Sequence, residues 1–371
     1  MIAQAELINL EGIRETFISR TMKEQEMISG GGPKSLKIPK FEIDLEEDPY
    51  TRWSEPTIYF KEQIIKLHET IISFVPWSIR SIFWMVTKYM EVFSPKTTGL
   101  GELNHQLFRE FEGVSDITGI PLADVLTANF VYELFAHCTS IVAIDKTDSI
   151  VHARNLDYPI YESMRNDTFD IDFVKNGELV FKGAGTGGST NSYTIMKPGA
   201  FAVSINARYH NDLPGLANSL SRWFMESYNP GSLLIYVGEH ANTFEEAKDM
   251  LMNMPITSIC YFTLSGVEID EGVVITRDRT GAKDLWPINP NSQSDWAIYQ
   301  TNYDHWENAP ERDNKRAATV KEGLVEIGRD KMTVSKILKR ILQKPPVLQY
   351  DTIFAVTMSA KKNLFKIHAY I

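Results

Sequence analysis

A cysteine, an arginine and an aspartate fall within one short stretch of this chain, CTSIVAIDKTDSIVHARNLDYP, as Cys138, Arg154 and Asp157. The thiolate is the reactive form of cysteine, and a fixed guanidinium beside it makes that form accessible. With a carboxylate in the same small volume, such a grouping can do chemistry. A plainer reading stands beside this one. A lone cysteine at a strand start is commonly a small buried hydrophobe, and an Arg-Asp pair on a neighbouring strand is commonly a structural ion pair. Spacing alone leaves both open.

The element that must position these residues is a hairpin. Residues 140–145 and 149–157 alternate with the period of a β-strand, and Lys146-Thr147-Asp148 forms a short polar turn between them. The start of the first strand then lies beside the end of the second, and Cys138 comes close to Arg154 and Asp157.

The spelling of this hairpin, CTSIVA followed by a short turn and then H-x-RNLDYP, resembles the nucleophile hairpin of the acid ceramidase and N-acylethanolamine-hydrolysing acid amidase family. Its members are lysosomal amidases of the N-terminal nucleophile class, made as precursors that cut themselves immediately before the cysteine. The resemblance implies a cut between His137 and Cys138. It also implies that Asp157 holds the freed α-amino group while Arg154 lies against the sulfur. An α-amine titrates near pH ~7.7–8.0 when unperturbed and can serve as the base. The fold implied is α+β, an N-terminal nucleophile hydrolase αββα sandwich with an N-terminal helical subunit, and the product of cleavage an α/β heterodimer.

A second constellation is QTNYDHW, residues 300–306, which by itself reads as a polar turn. The resemblance extends through EGVVITRDR and LWPI to this string and assigns Asn302 to the oxyanion hole. Three departures from the family stand out. Asn206-Ala207-Arg208 has alanine where an acidic residue usually precedes the arginine, so Asn206 and Arg208 are secondary candidates. The run 187–193 is polar where relatives are more apolar, which implies a polar wall in the substrate pocket. The family's paired basic residues stand here as Lys315 and Arg316, and a lysine does not replace a guanidinium at a bidentate site.

Elsewhere the pattern is mixed. Residues 55–94 read as helical, with Pro76 marking a break before a second segment at 77–93. That segment is short for a membrane span and carries Arg80, Lys88 and Glu91; it reads as a packed helix, with an interfacial, lipid-drawing helix as the alternative. Further helices are expected at 103–112, 121–126, 216–228, 243–253, 312–327 and 333–343. Strands are expected around Asn176-Gly177 and Pro198-Gly199, at SICYFTLSG and EGVVITRD, and at the C-terminus. Three regions follow: an atypical extension at 1–37, a mainly helical part at 38–137 and a catalytic part at 138–371.

Composition excludes several classes. The 371 residues carry a net charge of −10 with no Lys/Arg-rich run, which argues against nucleic acid as a partner. The eight histidines show no close ligand spacing, and no phosphate or dinucleotide loop occurs, so neither metal nor cofactor is expected. Two cysteines allow at most one disulfide, and acid ceramidases carry disulfides that this chain cannot make. No apolar signal core is visible in the first 37 residues, although the resemblance implies a lysosomal location. One glycosylation sequon, Asn166-Asp167-Thr168, is present. The reading reached is a self-cleaving cysteine amidase that hydrolyses a fatty acyl amide lipid at acid pH. N-acylethanolamine is the first substrate and ceramide the second, with a non-catalytic lipid-binding relative as the alternative class.

Overall fold

The computed structural model describes residues 37–74, 102–158, 160–209 and 227–370, together with scattered positions between 77 and 88. The expected helix at 216–228, the N-terminal extension and most of 77–93 lie outside the described residues.

The strands build two sheets, and the central ones are buried along their whole length on both faces. The strands are β1 (Lys40–Asp44), β2 (His137–Ile144), β3 (Ile150–Asp157), β4 (Thr168–Lys175), β5 (Glu178–Thr186), β6 (Thr194–Lys197), β7 (Phe201–Ala207), β8 (Cys260–Ser265), β9 (Gly272–Arg277), β10 (Ala282–Pro287), β11 (Ala297–Gln300), β12 (Thr352–Ser359) and β13 (Leu364–Ala369). Eight of them form one sheet in the order β1-β4-β5-β6-β7-β8-β9-β10, and five form the other in the order β11-β2-β3-β12-β13. Local turn chemistry sets the hairpins. Asn176 and Gly177 both take positive φ between β4 and β5, and Gly199 does so between β6 and β7, the left-handed geometry that tight hairpin turns require.

The sheets stack face to face and helices cover both outer faces. Leu233 and Val237 of the Pro230–His240 helix and Ala247 and Leu251 of the Phe244–Asn253 helix are buried on the large sheet. Gly238 lies on the Phe181 ring, where a Cβ would come within 2.9 Å. Val320 and Leu324 of the Glu311–Ile327 helix, with Ile341 behind them, cover Ile141, Ala153 and Ala355 of the small sheet. This is the αββα order expected from the sequence.

The N-terminal part is built into the same core. β1 pairs in parallel with β4, and the Phe41 ring meets Phe60 and Phe169 edge to face. Helices Pro49–Arg52, Ser54–Tyr59, Lys61–Phe74, Glu102–Thr118 and Leu122–Phe135 follow, the last running straight toward β2.

Two local readings need correction. The first helical stretch is not continuous. It breaks at Phe60, whose φ of −102° and ψ of 15° end one helix before the next begins, and Ile58 consequently faces solvent at 63% exposure. The Pro230–His240 helix was absent from the sequence reading, although its signal is present: Asn229 accepts from the Gly231 and Ser232 amides, and Pro230 occupies the first turn. Thr243 caps the Phe244–Asn253 helix, its hydroxyl accepting from Glu246 N at 3.2 Å.

One charged tie binds the N-terminal helices together. Arg52 donates to Glu110 at 3.1 Å and to the Leu45 carbonyl at 2.7 Å. Burial pushes the Glu110 carboxyl up to about 7, against the pull of Arg52. A folded-state pKa raised above the ordinary 4.5 means that the folded chain holds the extra proton, so this residue's contribution is fully present below about pH 4.5 and is lost as pH rises through about 7. Glu110→Gln should therefore flatten the fall in stability between those limits, a difference on the order of 3 kcal/mol in urea unfolding of the two proteins. Parallel pH profiles for wild type and variant would show that Glu110 does not set this tie.

Candidate active site

Register brings the hairpin residues together. β2 pairs with β3 so that His137 faces Asp157, Cys138 faces Leu156 and Ser140 faces Arg154. Because side chains alternate, Cys138 and Ser140 point toward the large sheet while Thr139 points toward the Glu311–Ile327 helix. The contacts follow this division. The Ser140 hydroxyl donates to Asn206 Oδ1 at 2.6 Å on the large sheet, and Thr139 Oγ1 accepts from Arg316 at 3.3 Å on the helical side.

The sulfur is held by Arg154. Its Nη2 lies 2.8 Å from Cys138 Sγ and donates to the Ile205 carbonyl at 3.0 Å, while its Nη1 donates to Thr194 Oγ1 at 2.8 Å. Both side chains are fully buried. Burial is the largest influence on the thiol and pushes its pKa up; Arg154, then Arg316 and a backbone hydrogen bond from Ala207, pull it down, while Asp157 adds to the rise. Thus desolvation outweighs the guanidinium, and the thiol is the favoured form.

The peptide before the sulfur is held from the other side. Asn302 Oδ1 accepts from Cys138 N at 3.0 Å, and Asn302 Nδ2 donates to the Ala207 carbonyl at 2.8 Å and the Ala136 carbonyl at 3.3 Å. Arg316 lies behind it, donating to the Cys138 carbonyl at 2.8 Å and to Asn302 Oδ1 at 2.8 Å, and pairing with Asp313. Its Nη1 stands 3.7 Å from Asp157 Oδ2. Asp157 accepts from the Thr352 hydroxyl at 2.6 Å. Burial first, and then the neighbouring Asp351, raise its carboxyl above the ordinary carboxylate range, with Arg316 pulling the other way.

The secondary candidates divide. Asn206 donates to the Gln300 and Thr301 carbonyls at 2.8 and 3.0 Å, fixing the backbone that presents Asn302. Arg208 grips Asp304 through two bonds of 2.7 Å, which Tyr261 supplements at 2.6 Å. Both hold the Asn302 loop and neither touches the sulfur. Lys315 lies outside the cluster. One position before Arg316 on a helix, its side chain faces solvent at 64% exposure and pairs with Glu311. His137 is buried against the Tyr209 ring, and Asn166 is exposed at the end of the Tyr161–Asn166 helix.

Sequence reasoning missed Asp313 and Tyr209. Tyr209 donates from its hydroxyl to the Ala136 carbonyl and from its amide to the Asn302 carbonyl, both at 2.9 Å. Tyr209 has no local signal, because it acts across long sequence separations, whereas Asp313 stands three positions before Arg316 on one helix, a spacing that could have found it. Of the run expected to form a polar wall, only Tyr193 lines the cavity at Cys138. The cavity at Cys138 is lined by Leu156, Tyr193, Ile205, Ala207, Ile259 and Cys260 among others, whereas Gly187, Gly188 and Ser189 line a separate cavity under the N-terminal helices. Ser192 is turned inward, donating to strand carbonyls at 3.0 Å. The two cysteines form no disulfide, and both are buried.

Comparison with known proteins agrees with this geometry. The family described as linear amide C-N hydrolases, choloylglycine hydrolase family, matches residues 138–329. Acid ceramidase of Rattus norvegicus is 30% identical over 348 residues, spanning 89% of this chain and 86% of the rat protein. The N-acylethanolamine-hydrolyzing acid amidase of the same species is 31% identical over 325 residues, spanning 87% and 86%. Among solved structures, the Caenorhabditis elegans N-acylethanolamine-hydrolyzing acid amidase ortholog superposes with a TM-score of 0.53 at 31% identity, covering 60% of this chain and 93% of that one. With the two-sheet sandwich and these matches in hand, the chain belongs to the choloylglycine hydrolase family of linear amide C-N hydrolases and is an amide-hydrolysing enzyme with the N-terminal nucleophile hydrolase fold.

Proposed function

We propose that this enzyme cuts itself before Cys138 and then hydrolyses N-acylethanolamines to fatty acid and ethanolamine at acid pH. The observation that carries the reading is the convergence on one residue: Arg154 on the Cys138 sulfur and Asn302 on its backbone amide. That the family match opens at residue 138 supports it.

The chemistry runs in two stages. In the first, Cys138 Sγ attacks the His137 carbonyl carbon, the C–N bond to Cys138 breaks, its nitrogen takes up the proton, and water hydrolyses the thioester so formed. The chain before residue 138 then ends in a carboxylate, and Cys138 owns an α-amine. Loss of the Ala136 carbonyl as a partner releases Asn302 Nδ2 for the oxyanion of an incoming amide. In the second stage the amine takes the thiol proton and passes it to the departing ethanolamine nitrogen, and the sulfur carries the acyl group until water removes it. Arg154 favours the thiolate, and Asp157, through Arg316 and directly, orients the new amino terminus. The parts 38–137 and 138–371 remain together as a heterodimer.

The apolar lining of Leu156, Ile205 and Ile259 beside the sulfur suits a fatty acyl chain. A second reading, ceramide as substrate, is favoured by the similarity to rat acid ceramidase over 89% of the chain. In either case the working compartment proposed is the lysosome, with Asn166 carrying glycan. The exposed Trp77, Trp84 and Met85 would touch the membrane that supplies the lipid.

Intact mass after incubation at acid pH should show fragments ending at His137 and beginning at Cys138, and Cys138→Ala should stay whole. A Cys138→Ala protein that matured would sink the nucleophile assignment. In the matured enzyme, Asn302→Ala should lower kcat for N-acylethanolamine by about 10²–10³-fold. A drop confined to KM would remove Asn302 from the oxyanion role, and turnover of ceramide alone would replace the substrate.

A further inference from the structure

A second cavity lies away from Cys138. It sits where the Lys61–Phe74 and Leu122–Phe135 helices meet the turn between β5 and β6, and it shares no lining residue with the cavity that holds the sulfur. Ile64, Leu67, Ile71, Val114, Val125 and Met164 supply apolar walls. Such walls are complementary to hydrocarbon.

Polar residues interrupt the wall at His68, Asn129, Thr186 and Ser189, and Asn129 among them carries an unmet acceptor. Asn129 is 4% exposed, and its Nδ2 is committed to the Val125 carbonyl at 3.0 Å and the Gly188 carbonyl at 3.2 Å. These two bonds fix which way the amide points. They leave Oδ1, a full-strength acceptor, with no hydrogen-bond partner among the described residues. A buried acceptor left unmet keeps its desolvation penalty, and a donor arriving with a ligand recovers it. His68 Nε2 borders the same cavity and likewise makes no hydrogen bond among the described residues, with Asp124 Oδ2 at 3.6 Å. Burial lowers the pKa of this imidazole and favours its neutral form. A cavity with an unmet acceptor and a neutral imidazole favours a neutral donor over an anion.

We infer that this cavity is a second lipid site, which takes the end of a single-chain amphiphile whose neutral head carries a hydroxyl, the hydroxyl donating to Asn129 Oδ1. This goes beyond the proposed reaction and does not depend on Cys138. An alkyl alcohol fits the pairing of apolar wall and unmet acceptor. A carboxylate, which can only accept, meets Asn129 Oδ1 with a like partner.

The test is calorimetric titration of the full chain with 1-decanol and, separately, with decanoate at neutral pH. Wild type should bind the alcohol about tenfold or more tightly than the acid anion. Ala128→Leu, which fills the cavity from a helix position where leucine is well tolerated, should weaken the alcohol by a similar factor. Asn129→Leu should reduce the preference for alcohol over anion even where it loosens the Gly188 turn. Alkylation of Cys138 by iodoacetamide should proceed at an unchanged rate with the alcohol bound. The inference is overturned if Ala128→Leu binds the alcohol as wild type does, if alcohol and anion bind alike, or if the alcohol protects Cys138.

Discussion

Two guanidiniums shut away from water on opposite faces of one strand set the terms for this structure. Arg154 and Arg316 are both fully buried, one in the space between the sheets and the other beneath the helical layer. A buried charge is tolerable only when its partners are in place, and removing one partner typically costs about 3–5 kcal/mol. Arg154 therefore demands Thr194, the Ile205 carbonyl and the sulfur; Arg316 demands Asp313, Asn302 and the Cys138 carbonyl. Cys138 is a partner to both. The strand cannot shift to relieve one without exposing the other, and so Cys138 is fixed by charge on each side.

That arrangement was only partly legible in the sequence. The hairpin and its register follow from alternation and a short turn, so the proximity of Cys138 to Arg154 could be reasoned from local pattern. The approach of Asn302 and Arg316 could not. They are separated from Cys138 by 164 and 178 positions, and only the pairing of β11 with β2 and the packing of a helix over both bring them in. Resemblance named Asn302 and offered Lys315 and Arg316 together. Helical geometry separates that pair, because adjacent positions on a helix point about a quarter-turn apart and only Arg316 shares the buried stripe with Asp313. The break at Phe60 was invisible for another reason: its backbone departs from helix within a sequence whose apolar spacing continues unbroken.

Buried carboxyl groups give the fold a further common character. Glu110 lies in the N-terminal helices, Asp157 at the hairpin and Asp167 under the turn before β4, and in each burial is the main cause of a raised pKa. Acid usually destabilises a protein because its carboxylates are better paired when folded than when unfolded. At these three positions the sign is reversed. Elsewhere the ordinary sign holds, as at Asp304, where hydrogen bonds from Arg208 and Tyr261 outweigh burial and keep the carboxyl low. The pH response of the whole is then a contest between reserves buried as acids and bridges that need charge.

β1 adds a consequence of a different kind. It is the edge strand of the large sheet, joined in parallel to β4, and its Phe41 is locked among rings from both sides of the Cys138 junction. While the chain is continuous, this pairing is an intramolecular event that benefits from the high local concentration of a tethered segment. A break before Cys138 would leave the pairing of β1 with β4 in place yet remove the tether. Recovery from unfolding would then become a bimolecular encounter whose success falls on dilution, so the cut molecule would persist through the slowness of its opening and not through any ability to reassemble. Such a protein would in effect fold once, as a precursor, and afterwards live on the memory of that single event.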